Sequence, residues 1–212
     1  MPIDARREPR IIAFLLAEAV GQRRYERHGA EAGLRDSAQL LNEVFAPALM
    51  EPFAVAATGE LQGALVDPAQ TPLCVSMLRE SLAPWQLRVG VGIEALETGG
   101  GDPGRDPALL ARSALEAARR QRGVIRYVGT GTAGDLLINA VCRLVDPLVM
   151  ERTAQQWEAI AAYRRLGHQG TVAVDLGVTR QSVGDRLSAG HRREVEEADA
   201  AVAAYLTYVR RP

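Results

Sequence analysis

Between Gln86 and Ala95 the chain reads QLRVGVGIEA, and this stretch restricts the fold more than any other. Strand alternation puts Val89, Val91 and Ile93 on one face and Arg88, Gly90, Gly92 and Glu94 on the other. The first face belongs to a core. The second is a strip of bare backbone, which a strand carries where another backbone, a helix or a ligand comes close. The chain therefore contains a sheet with something packed tightly over one strand.

The neighbouring segments supply the rest of that sheet. Ile11, Ile12, Phe14, Leu15 and Leu16 form an apolar run suited to a buried strand, with Glu18 at its end. From Gln22 to about Met50 the pattern is helical, with Leu34, Leu40, Leu41, Val44 and Phe45 on the apolar face. Phe53 to Thr58 and Leu61 to Val66 meet at Gly59-Glu60 and read as a hairpin. A helix from Pro72 to Ala83 precedes the glycine-bearing strand. Thr98 to Gly104, TGGGDPG, reads as a mobile loop. A helix from Asp106 to Gln121 follows, with Leu109, Leu110, Ala114, Leu115 and Ala118 inward, and then a strand from Val124 to Val128. This order predicts an α+β unit, a four-stranded antiparallel sheet covered on one face by two helices in the ferredoxin-like arrangement.

Gly129, Gly131 and Gly134 satisfy G-x-G-x-x-G, but the chain continues into helix rather than a second strand with an acidic end. A dinucleotide fold needs that strand. The expected role is a loop, with Thr132 capping the helix that follows.

The last third changes pattern. A helix over 151 to 166 carries Trp157, Ile160, Ala161 and Leu166 inward. Gly170 to Gly190, GTVAVDLGVTRQSVGDRLSAG, then reads as two short helices hinged on Gly177. Val172, Ala173 and Leu176 face the second helix, Thr179 is its N-cap, and Val183 with Leu187 forms its buried side. A helix-turn-helix with Arg180 and Gln181 at the start of its second helix could read base edges in a major groove. Thr179, Arg180, Gln181, Ser182 and Arg186 are the candidate DNA-binding residues. The alternative is an ordinary helical hairpin, favoured by Asp185 and by Gly184, which costs the helix about 1 kcal/mol against Ala. The tail from Arg192 to Val209 is a strong helix former with Val195, Ala198, Val202, Tyr205 and Leu206 at helical spacing. The expected division is residues 1–148 for the α+β domain and 149–212 for the all-α helix-turn-helix domain.

Composition narrows the function classes. With 47% hydrophobic and 24% charged residues the chain is of globular type, and all 25 basic residues are arginine. Residues 151–212 hold 9 Arg and 8 acids, a net charge of +1, so phosphate neutralisation supplies little affinity to a single module, and a homodimer is expected. Cys74 and Cys142 sit in apolar helical surroundings and read as core packing in a reducing compartment. The three histidines have no metal-ligand spacing. No apolar run approaches the ~18 to 20 residues needed for a membrane span, so a cytoplasmic protein is expected.

The strand ending in Ala17-Glu18, the hairpin ATGELQGALV, LRVGVGIEALET, RDPALLARSALEAAR, RTAQQWEAI and LGVTRQSVGDRL occur in an order and spacing that resembles the SatD family. The resemblance covers most of the chain. It implies a regulatory protein whose N-terminal domain is similar to the palm of nucleotidyl cyclases and GGDEF proteins. In that palm an acid on the first strand and another at the hairpin hold divalent metal for phosphoryl transfer. Here Glu18 stands at the first position. The hairpin keeps Glu60 and Gln62-Gly63 but has Gly59 where family members carry Asp. The resemblance thus implies a palm-like domain that senses a small-molecule or nucleotide ligand or mediates dimerisation, without a cofactor. Under the alternative of a divergent nucleotide-handling enzyme, Glu18 and Glu60 would bind Mg²⁺.

Overall fold

The structure is a computed structural model that describes residues 10–20, 24–96, 106–121 and 123–209. The TGGGDPG segment lies outside the described residues. Five strands, β1 (Arg10–Val20), β2 (Leu49–Val55), β3 (Leu61–Leu65), β4 (Gln86–Leu96) and β5 (Ile125–Val128), form one sheet in the order β2-β3-β1-β4-β5. The pairs β2/β3, β1/β3 and β1/β4 are antiparallel, whereas β4/β5 is parallel.

The α+β class is as expected, but the sheet is mixed and five-stranded rather than antiparallel and four-stranded. The reason is the last strand. A parallel neighbour of β4 requires a crossover, and α3 (Pro107–Arg120) makes it.

That crossover also changes which faces are covered. Ala13, Leu15 and Ala17 of β1 share the main core with α1 (Arg24–Val44) and α2 (Thr71–Leu82), while Phe14 and Leu16 pack with Ala111 and Leu115 of α3. Helices thus cover both faces, not one. Gly90 and Gly92 make the close approach of α3 feasible. A Cβ at Gly90 would lie 2.2 Å from the Ala111 carbonyl oxygen, and one at Gly92 would lie 2.1 Å from that of Pro107. Only Ala111, Ala114, Leu115 and Ala118 of α3 are buried, so Leu109, expected inward, is 56% exposed.

Local sequence sets the helix ends. Asp106 accepts a hydrogen bond from the Ala108 amide, and Pro107 opens α3 without leaving an amide unsatisfied. Helix α4 (Thr132–Met150) starts differently from expectation. Its N-cap is Gly131, at φ +85°, and Asp135 inside the helix accepts from the amides of Gly129 and Thr130 and from the Thr130 hydroxyl. Thr132 is already helical.

The remaining helices are α5 (Ala154–Leu166), α6 (Gln169–Asp175), α7 (Arg180–Ala189) and α8 (Arg192–Val209). Thr153 and Gln156 form a reciprocal capping box at the start of α5, and Gly167, at φ +72°, ends it. A second core of Ala159, Ile160, Ala162, Val172, Ala173, Val183 and Leu187 binds α5, α6 and α7 together. The main core draws on both sides of residue 148, since Ile138 and Cys142 of α4 join it together with Val202 and Leu206 of α8. Cys74 and Cys142 are free and buried, and burial pushes the Cys142 thiol up to about 12. Among the described residues no helix is long and apolar enough to cross a membrane.

Candidate functional site

Two places gather the candidate residues. The first is a cleft of about 490 Å³ between the end of β1, the N-terminal half of α1, the β2–β3 hairpin and α3. Alternation along β1 carries Phe14, Leu16 and Glu18 to the α3 face, and the register sets Glu18 opposite Arg88 of β4. Glu60 sits at the hairpin just before β3, and Gly59 takes φ +80°. On α3, Arg112 and Arg119 are seven residues apart, two turns along the same helix face.

These residues form one network. Arg119 donates from Nε to Glu18 Oε1 at 2.9 Å and from Nη2 to Glu18 Oε2 at 2.5 Å, and the same Nη2 lies 3.1 Å from Glu60 Oε1. Arg112 grips Glu60 with two parallel bonds of 2.6 and 2.8 Å. The Thr58 hydroxyl donates to Glu60 at 3.1 Å, and Arg88 stands 3.6 Å from Glu18. All four carboxylate oxygens therefore accept from a guanidinium.

The Arg112 hydrogen bonds hold the Glu60 carboxyl below the usual range, against the opposing effect of its burial. The structure brings Glu18 and Glu60 to one guanidinium, but it spends their lone pairs on arginine. Among the described residues no group of three or more His, Cys, Asp or Glu is arranged to hold a metal ion. Arg88, Arg112 and Arg119 escaped the sequence reading. The seven-residue spacing of the last two was the available signal, but nothing local tied it to β1.

The second place is the surface of α7. Gly177, at φ +65°, turns the chain between α6 and α7, and the Val178 amide closes the turn on the Ala173 carbonyl. Thr179 caps α7 by accepting from the Ser182 amide at 3.1 Å. Arg180 and Gln181 are exposed in the first turn, beside the half-buried Ser182, and Asp185 is exposed one turn on. Among the described residues Arg180 has no ion-pair partner. Arg186 behaves differently, since its side chain is 19% exposed and lies 3.5 Å from Glu158 of α5.

Polar contacts tie these helices to the sheet unit. Arg164 of α5 forms a two-pronged pair with Glu80 of α2, and Ser76 of α2 donates to Asp199 of α8 at 2.5 Å. Arg152 lies over the Trp157 ring and donates to the Gly190 carbonyl after α7, and burial pushes it down to about 10. Beneath them Asp146 of α4 accepts from Arg79 and from the Val124 amide, with Arg126 3.6 Å away.

No family model matches the chain, and no curated protein matches it. Among solved structures it is similar to a regulator of polyketide synthase expression from Bifidobacterium adolescentis. The identity is 12%, 95% of this chain and 86% of that chain are covered, and the TM-score is 0.26. A similarity of that size carries no argument about this chain.

Proposed function

We propose that the protein is a cytoplasmic DNA-binding regulator of the SatD type, with α6 and α7 as a helix-turn-helix and the sheet unit as a ligand-sensing and dimerising domain. One observation carries this reading. The first turn of α7 presents Arg180 and Gln181 to solvent, Arg180 without an acid partner among the described residues, on a helix fixed from behind by Val183 and Leu187. Those two side chains have the donors and acceptors for guanine and adenine edges. Thr179 and Ser182 stand beside them for phosphate. Arg186, held by Glu158, contributes less.

The strand order β2-β3-β1-β4 supports a ferredoxin-like core extended by β5. The cleft is large enough for a small-molecule or nucleotide ligand. Helix α1 lines it and packs on α2, which touches α5 and α8, so the contacts needed to relay occupancy to the DNA-binding helices are present. Mobility-shift titration against DNA from upstream of the protein's own gene tests the reading. Arg180→Ala with Gln181→Ala should weaken binding by about 1 to 3 kcal/mol per lost base contact. Unchanged binding by this double variant removes the DNA-reading role.

The meeting of Glu18 and Glu60 keeps a second reading, a divergent Mg²⁺-dependent nucleotide enzyme. In that reading Arg112 and Arg119 must leave the carboxylates before a metal enters.

A further inference from the structure

A second pocket, of about 60 Å³, lies between the start of β4, the end of α4 and the start of α5. Both tryptophans of the chain, Trp85 and Trp157, line it, and Leu87, Val124 and Val149 give it a buried apolar wall. Arg79 and Arg152 also line it, and among the described residues no acid does. The cleft, by contrast, is lined by Glu18, Glu31 and Glu60 as well as by arginine. We infer that this second pocket binds a short monocarboxylate, its carboxylate on Arg152 and Arg79 and its alkyl end against the apolar wall.

The two arginines have donors to spare. Arg152 gives Nε to the Gly190 carbonyl and lies over the Trp157 ring, but among the described residues it has no carboxylate partner. The acids around it are already engaged. Both Glu80 oxygens accept from Arg164, and the Asp146 oxygens accept from Arg79 and from the Val124 amide. Arg79 gives Nη2 to Asp146, while its Nε is buried with no hydrogen-bond partner among the described residues. A half-buried cation without a counter-charge and a buried N–H without an acceptor are both costly, and the two oxygens of one carboxylate relieve both. Burial lowers the Arg152 pKa and the nearby charge of Arg79 adds to that fall, so an anion between the two is favoured.

Size and lining select the ligand. The 60 Å³ holds a group of about five non-hydrogen atoms, which is a carboxylate carrying a two-carbon tail. A phosphate has as many atoms, but it would lay its remaining oxygens against leucine and valine. Arg152 also holds the end of α7 through the Gly190 carbonyl. The ligand therefore touches the side chain that seats the helix carrying Arg180 and Gln181.

The site is separate from the cleft, and its test contains no DNA, so its failure and the failure of the DNA-reading role are independent results. Titration of the full chain with sodium propionate, at constant ionic strength, should give a saturable change in tryptophan emission, because both tryptophans line the pocket. Propionamide, the neutral isostere, and inorganic phosphate should give none. Arg152→Gln should weaken propionate binding about tenfold or more, while Arg152→Lys, which keeps the charge, should retain saturable binding. No saturable change in the wild type, a change matched by propionamide or by phosphate, or undiminished binding by Arg152→Gln overturns the inference. The comparison of propionate with propionamide needs no variant, so it decides the matter even where Arg152→Gln does not fold.

Discussion

Arg119 holds Glu18 by both Nε and Nη2, at 2.9 and 2.5 Å, across 101 residues of sequence. The same Nη2 lies 3.1 Å from Glu60 Oε1, so one guanidinium serves both acids. A guanidinium satisfies both carboxylates without the strict octahedral geometry that Mg²⁺ demands. The wild-type protein should therefore give no calorimetric heat with Mn²⁺. Arg112→Ala with Arg119→Ala, which leaves the acids facing each other, should give measurable Mn²⁺ binding. Wild-type heat with Mn²⁺ and a nucleoside triphosphate would instead favour the enzyme reading. Arg119→Ala alone should cost under about 1 kcal/mol, because the side chain is 39% exposed and solvent screens the pair. Glu60, with its folded pKa lowered, contributes stability that is present above its ordinary value of 4.5 and fades as pH falls through the lowered one. Glu60→Gln should flatten that acid limb in denaturation curves.

Two glycines should respond to substitution for opposite reasons. At Gly90 the obstacle is space, since the added Cβ would meet backbone atoms of Ala111 and Leu115 at 2.2 and 2.4 Å, and no rotamer change relieves it. Gly90→Ala should cost about 3 kcal/mol or more in urea unfolding. At Gly177 nothing lies within 4 Å of the Cβ position, and the obstacle is the left-handed backbone. Gly177→Ala should cost about 1 to 2 kcal/mol, and Gly177→Asn less. Equal costs for the two alanine variants would contradict the close seating of α3 on β4.

The contrast explains what was legible in the sequence. Period-two alternation located β4 and predicted a bare strip, and Gly177 with Thr179 located the turn and cap of α7, because each signal is contained in a few consecutive residues. The identity of what covers the strip was not contained there. Whether α3 crosses over or under the sheet depends on the parallel pairing of β5, which is set by contacts far apart in sequence. The cleft had the same fault line. Glu18 and Glu60 were visible as acids at strand ends, but the partners that engage them, Arg112 and Arg119, come from another element. Helical spacing also cannot tell a core face from a face left open. Leu136, Leu137 and Leu144 of α4 are exposed, while Ile138 and Cys142 of the same helix are in the core.

Asp199 gives a pH test of how α8 is seated. It is a carboxylate on the helix that follows the DNA-binding candidate, pressed against α2, where the Ser76 hydroxyl donates to it at 2.5 Å. Burial raises its pKa, and the Ser76 hydrogen bond with the charges of Arg79, Arg164 and Arg152 only partly opposes that rise. The folded protein therefore binds this proton more tightly than the unfolded chain. Between the ordinary value of 3.8 and the raised one, stability falls as pH rises, because the unfolded chain releases the proton first. The slope for one proton cannot exceed about 1.4 kcal/mol per pH unit. Asp199→Asn keeps an acceptor oxygen for Ser76 and should remove this slope, making the variant more stable than wild type above the window. Ser76→Ala removes the strongest pKa-lowering contact and should carry the window to higher pH. Urea midpoints collected across the acid range for the three proteins decide the matter, and parallel curves for wild type and Asp199→Asn would mean that Asp199 is hydrated rather than seated against α2.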